Sequence, residues 1–293
     1  MRKSNRLSTD TLIKLFIYVA LITLAISIIV PVAWVFLASI KQNKEFYGSP
    51  WSLPEGIHFQ NFIEAFREAQ MGEYLFNSMM VTALALIILL VVALPAAYVL
   101  SRFNFKGNRL LNSIVKAGLF INVSYVAVPI FLMLLDWDTS LNTIFGQEFL
   151  LNNRFMLALI YASTALPFTI YLLSSYFKTL PSDFEEAASI DGAGYYRTMF
   201  SVMFPMAAPS IVIVILFNFL LFWNEYILAL TLMPAKNQTL PVGLLNLMAA
   251  ERAAVNYGPL YAGMVIVMLP TLILYILVQK RLTEGMTVGG VKG

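Results

Sequence analysis

Six long stretches of this chain carry almost no charge, and that pattern constrains the fold more than any other feature. Leu15 to Ile40 holds 26 consecutive residues without Asp, Glu, Lys or Arg, and Leu75 to Leu100 repeats the pattern. About 20 apolar residues suffice for a helix to cross a bilayer. Further runs follow at Ala117 to Leu135, Phe155 to Phe177, Met206 to Met233 and Gly258 to Gln279. Composition agrees, with 59% hydrophobic and 12% charged residues, against about 25% charged in a soluble domain. The expected fold is an all-α membrane protein with six transmembrane helices. Its expected spans are 15–40, 75–100, 114–135, 155–177, 206–233 and 258–279 within a transmembrane domain at 15–280. A signal peptide competes for the first run. That run is too long and lacks a clean small-residue cleavage site, so an uncleaved span is preferred.

Six spans put both ends on one side, and charge selects which. The N-terminus 1–14, the loops after spans two and four, Lys116 and the tail 281–293 with its flanking Lys280 hold 13 of the 19 Lys and Arg. The other six are Lys41, Lys44, Arg67, Arg154, Lys236 and Arg252. The positive-inside rule places both termini in the cytoplasm. The connection from Lys41 to Tyr74 is polar, with a short surface helix expected from Asn61 to Ala69, and Asp136 to Arg154 reads as a polar loop. Cysteine is absent, which excludes disulfides and thiol chemistry. The net charge of +3 comes from basic residues scattered between apolar runs, so no nucleic-acid partner is expected.

Between spans four and five lies the stretch Pro181 to Pro209, PSDFEEAASIDGAGYYRTMFSVMFPMAAP. Ser182 and Glu185 have the spacing of a reciprocal capping box. Asp183, Glu185 and Glu186 load the first turn, where a helix dipole favours negative charge. Gly192 is expected to end this helix. A second helix, Tyr195 to Met203, is expected to run until Pro205 interrupts it. Two short helices joined at a glycine form a compact knob suited to docking.

The residues of that knob carry a resemblance. Glu186-Ala187-Ala188, then Asp191-Gly192-Ala193, then Val202, Phe204 and Pro205 resemble the EAA loop of the membrane subunits of bacterial ABC importers. Val202 and Phe204 stand where Ile and Leu are usual. Pro167-Phe168 through Leu180-Pro181, and Trp223-Asn224-Glu225, look like the carbohydrate branch of that family. The ending Gly285 to Gly293 is similar to the tail of the smaller membrane subunit of maltose importers. The resemblance implies a bacterial cytoplasmic (inner) membrane location and a second homologous membrane subunit. It also implies two copies of an ABC ATPase, an extracytoplasmic solute-binding protein and a sugar substrate. ATP and Mg then belong to the partner ATPase, and this chain binds no cofactor of its own. The family roles fall on Glu186, Ala187, Ala188, Asp191, Gly192, Ala193 and Pro205 as the ATPase-coupling loop. Gly289, Gly290, Val291, Lys292 and Gly293 become a tail contact to the ATPase.

Residues inside the spans suggest a path. Apart from Lys116 at the edge of the third span, Glu225 is the one charged side chain within them, and an intramembrane acid faces protein or water rather than lipid. Counted at about 1.5 Å per residue from Pro205, it lies near the outer surface, where an interfacial carboxylate is the competing reading. Asn218, seven residues earlier, falls on the same helical face near the midplane; it either lines a path or bonds neighbouring helices. Trp223 is either a path residue or an interface anchor. Asn224, Asn122 and Tyr125 supply the amide and aromatic groups a sugar path needs, and ordinary helix packing uses the same groups.

Catalytic constellations are missing. His58 is a lone histidine, Asp136 and Asp138 read as solvated loop acids, and the glycine-rich tail lacks phosphate-loop spacing. A transport subunit without its own catalytic site is therefore expected. An ion-gradient-driven transporter, with Glu225 as its coupling group, remains an alternative. So does an importer of a polyol or glycerol phosphate.

Overall fold

The computed structural model describes residues 9–47, 51–146, 149–254 and 256–288, and every regular element among them is helical. In chain order, α1 spans Thr9–Ser39 and α2 spans Gln60–Ile63, extended by one wide π-type turn at Glu64–Glu68. Next come α3 at Met71–Arg102, α4 at Asn108–Gly118, α5 at Val123–Phe145 and α6 at Arg154–Phe177. The knob holds α7 at Asp183–Ile190, α8 at Tyr195–Thr198 and α9 at Phe204–Met206. Then follow α10 at Ala208–Trp223, α11 at Ile227–Leu232, α12 at Leu240–Ala254 and α13 at Tyr257–Val288. Five of these helices are long and apolar enough to cross a membrane, or six if Tyr195–Met206 and Ala208–Trp223, bent by 74°, count as one broken span.

Helical contacts divide the chain into two units. The first comprises 1–69 and 247–266. Within it α1 is apolar on every face, and none of its most hydrophobic stretch is buried, the property of a helix solvated by lipid. Past its end the sequence's polar connection folds tightly. Lys41, expected as an outer-loop charge, is fully buried, with Nζ 4.5 Å from the Trp34 ring centre and 3.5 Å from Ser52 Oγ. Asn61, in the first turn of α2, donates to the Ser39 and Lys41 carbonyls, which pins that short helix. Backbone N–H groups of Glu55 and Gln42 hold the Glu45 carboxyl below its ordinary range. Phe46 stacks on Tyr261 at 5.5 Å.

The second unit, 70–246 and 267–293, holds the principal core. Helices α3 and α6 pack along their lengths because both offer small side chains. Ala85, Ala93 and Ala97 on α3 and Ala158, Ala162 and Ala165 on α6 are all buried, which lets the backbones approach closely without a hydrophobic drive. Ser174 adds a hydrogen bond to the Ala97 carbonyl. Gly118 closes α4 onto α6, where a Cβ would lie 2.7 Å from Pro167.

The structure departs from the sequence-based expectation at two places. Asp136 and Asp138 are not in a loop, because α5 continues to Phe145. Asp138 is buried and accepts the N–H groups of Phe149, Leu150 and Leu151. Three donors from the returning chain replace the water a loop carboxylate would use. The third run also divides: α4 ends at Gly118 and α5 starts at Val123, capped by Asn122.

Candidate coupling site

The knob begins with a cap that does not form. Ser182 makes no side-chain cap bond, and Glu185, its expected partner, turns to α3 instead. Its carboxylate accepts from Tyr98 Oη at 2.7 Å and pairs with Arg102 Nη2 at 2.9 Å. A charge-assisted bond to guanidinium outcompetes a neutral cap. Arg102 also donates to the Pro181 carbonyl at 3.2 Å, so the chain is held just where it enters α7.

Helix α7 closes as its glycines predict. Gly192 has φ +73°, its N–H reaches Ser189 O at 3.0 Å, and Ala193 N–H reaches Ala188 O at 2.9 Å. That pair of bonds is the Schellman closure, which needs a left-handed residue at Gly192. The second helix differs from expectation. It passes through α8, a π-type turn at Met199–Met203 and α9 without stopping at Pro205. The wide turn makes room for a ring that an α-helical turn would exclude. The break comes two residues later, at Ala207.

The acids and glycine of the motif lie on the outer face of this knob. Glu186, Ala187, Asp191, Gly192 and Pro205 are exposed, Ala193 is half-buried, and Ala188 is buried against the bundle. Around them stand Ile190, Tyr195 and Tyr196, each more than three-quarters exposed. Sequence reasoning missed these three, although one isoleucine and two tyrosines flanking a glycine turn outside the apolar runs were the available signal. Behind the knob a 410 Å³ cleft is lined by Tyr98, Arg102, Glu185, Ser189 and Tyr195.

The intramembrane residues form two groups. Asn218 is buried and donates to Thr169 Oγ1 at 3.0 Å and Val214 O at 2.8 Å, linking α10 to α6; its Oδ1 has no partner. Trp223 is buried, stacks on Phe219 and donates to Val267 O at 3.1 Å. Helix α10 ends there, so Glu225 does not share its face with Asn218 as i, i+7 counting expected. Asn224 bonds back to Leu220 O from an exposed position. Glu225 instead caps α11, accepting from Leu228 N–H at 2.8 Å and Ala229 N–H at 3.2 Å, and from Tyr161 Oη at 2.7 Å. Asn122 caps α5 through Ser124 N–H, and Tyr125 in the same first turn is exposed. Neither shares a hydrogen bond with the Asn218 to Glu225 group. The tail positions Gly289, Gly290, Val291, Lys292 and Gly293 lie outside the described residues. Before them, the chain is helical to Val288.

Residues 90–288 match the family of the binding-protein-dependent transport system inner membrane component. The diacetylchitobiose uptake system permease protein NgcG of Streptomyces coelicolor is 37% identical, over 96% of this chain and 90% of the relative. The trehalose transport system permease protein SugB of Mycobacterium tuberculosis is 30% identical, over 90% of this chain and 93% of the relative. A chain in the crystal structure of a bacterial ABC transporter that imports the acidic polysaccharide alginate shares the fold. Its TM-score is 0.78 at 24% identity, covering 96% of this chain and 99% of that one. With an all-helical bundle, apolar spans and a glycine-closed knob already in place, these matches settle the family: the chain is a permease subunit of ABC importers, one of the binding-protein-dependent inner membrane components.

Proposed function

We propose that this permease forms half of the translocation path for a carbohydrate handed over by an extracytoplasmic binding protein. The other half is a second, homologous membrane subunit, and ATP with its Mg is held by two copies of a partner ATPase on the cytoplasmic side. Support for the cargo is the agreement among relatives covering nearly the whole chain, whose names specify diacetylchitobiose, trehalose and the melibiose, raffinose and stachyose group. Support for the drive is the knob, which carries the reading: Glu185 is spent on α3 while its neighbour Glu186 faces outward beside Ile190, Tyr195 and Tyr196. An exposed carboxylate on the same knob as exposed Ile190, Tyr195 and Tyr196 suits a docking surface that carries a charge.

ATP closure then draws the two knobs together and rocks rigid helices, opening the path outward; hydrolysis returns it inward. The residues of this chain supply levers and contacts, and bond cleavage takes place on the partner. The tail from Gly289 to Gly293 is a second contact to the ATPase in this reading.

The test uses the chain co-expressed with its partner membrane subunit, ATPase and binding protein and reconstituted in proteoliposomes. Uptake of labelled disaccharide is expected to require enclosed ATP and the binding protein, and to survive a protonophore. Glu186→Lys is expected to lower ATPase co-purification by about tenfold, by reversing a charge at the centre of the contact. Uptake driven by an ion gradient without ATP overturns the reading.

A further inference from the structure

Helix α3 ends inside the knob and begins inside a second polar cluster. At the knob end both oxygens of Glu185 are occupied by α3, one by Tyr98 and one by Arg102. The paired side chains are only 13% and 23% exposed, so salt and water screen them less than an ordinary surface pair. Phe103 meets the Tyr195 ring edge-on at 5.6 Å. The end of α3 thus grips both limbs of the knob, α7 by charge and α8 by ring contact. Arg102 Nε is buried without a partner, a cost the arrangement bears to keep its guanidinium on Glu185 and Pro181.

The first turns of α3, at its other end, hold a different loop. Asn77 donates to Gln238 O at 3.1 Å and accepts from Arg154 Nη1 at 2.9 Å. Ser78 Oγ accepts from Leu240 N–H at 2.7 Å. Between these clusters α3 is one uninterrupted helix of 32 residues, about 48 Å long at 1.5 Å per residue. Pro95 lies inside it, but the alanine face is buried on both sides of that proline, at Ala93 and Ala97, and this close packing holds the helix against local bending. Directional bonds at both ends of the helix tie its rotation to the segments they hold.

We propose that Arg102 and Tyr98 form the joint through which the coupling knob moves α3, and that α3 carries that motion to the 234–240 loop on the opposite side. The proposal rests on the importer reading, because Glu186 must take the ATPase for Glu185 to relay its movement. Arg102 and Tyr98 are positioning residues and touch no substrate.

The experiment measures ATP hydrolysed per sugar moved in proteoliposomes of the whole complex. Arg102→Met and Glu185→Gln are each expected to leave ATPase co-purification unchanged while raising that ratio about tenfold, the size of an ordinary coupling free energy between sites. Tyr98→Phe keeps the ring packing and removes one hydroxyl, so an increase of about threefold is expected, the worth of a single hydrogen bond. The double variant Arg102→Met/Glu185→Gln is expected to be no worse than the poorer single variant, as for two halves of one contact. In a Lys236→Cys background, ATP is expected to change the thiol modification rate, and Arg102→Met to abolish that change. ATP-driven uptake in the parent with an unchanged ratio in all three single variants overturns the joint alone. A fully additive double variant does the same. Absence of ATP-driven uptake in the parent overturns the importer reading and the joint with it.

Discussion

Single side chains in this protein are read correctly only with their partners in view. Glu225 looks like a path residue because an acid in an apolar run is costly, yet its carboxylate is met by Tyr161 and two backbone N–H groups. The two backbone bonds restart a helix after a break. Tyr161 is buried and stacked on Phe222, so Tyr161→Phe preserves the packing and deletes one hydrogen bond to a carboxylate. A loss of about 2 kcal/mol of stability is expected, measurable as a shift in unfolding midpoint in detergent micelles; an unshifted midpoint would show that the bond contributes nothing. Gly192 was legible in the sequence, since two glycines around one alanine announce a turn. The destination of Glu185 was not. Its spacing from Ser182 is that of a cap, and nothing local reveals that Arg102, in a distant helix, competes for the carboxylate. Asp138 was misread for the same reason: its three donors come from chain that returns only after the helix has ended.

Elements follow their sequences where one interaction dominates and depart where two compete. Long uncharged runs become long helices because an unpaired backbone amide cannot be left in hydrocarbon. Breaks are harder to see. The interruption at Asn224 to Tyr226 has neither proline nor glycine, whereas Pro205, which looks like a stop, is absorbed by a π-type turn. The third expected span, 114–135, takes in the last turns of α4. The alternation in α4 of Arg109, Ser113 and Lys116 with Leu110, Ile114 and Ala117 was the signal of a separate amphipathic helix. Its contact with α6 depends on Gly118 meeting Pro167 without a side chain. Gly118→Ala is expected to force these helices apart at a cost of about 1–3 kcal/mol, the usual penalty of overpacking. The checks are the unfolding midpoint and the accessibility of a cysteine at Val115, which should rise; equal accessibility in parent and variant would show that the contact is loose.

At the scale of the whole molecule, the absence of cysteine makes orientation directly testable. Lys236→Cys is expected to react with an impermeant thiol reagent in intact cells, and Lys106→Cys only after permeabilisation; the reverse pattern would invert the topology that charge assigns. The 74° bend between the second limb of the knob and α10 has a mechanical consequence. Arms that meet this steeply act as a crank. A knob sliding parallel to the membrane exerts torque on α10 instead of pulling it along its axis. Over 16 residues, about 24 Å at 1.5 Å per residue, the far end of α10 sweeps a wider arc than the end beside Ala208. Trp223 sits at that far end with its indole fastened to the Val267 carbonyl of α13, so whatever swings α10 drags that part of α13 through the same arc.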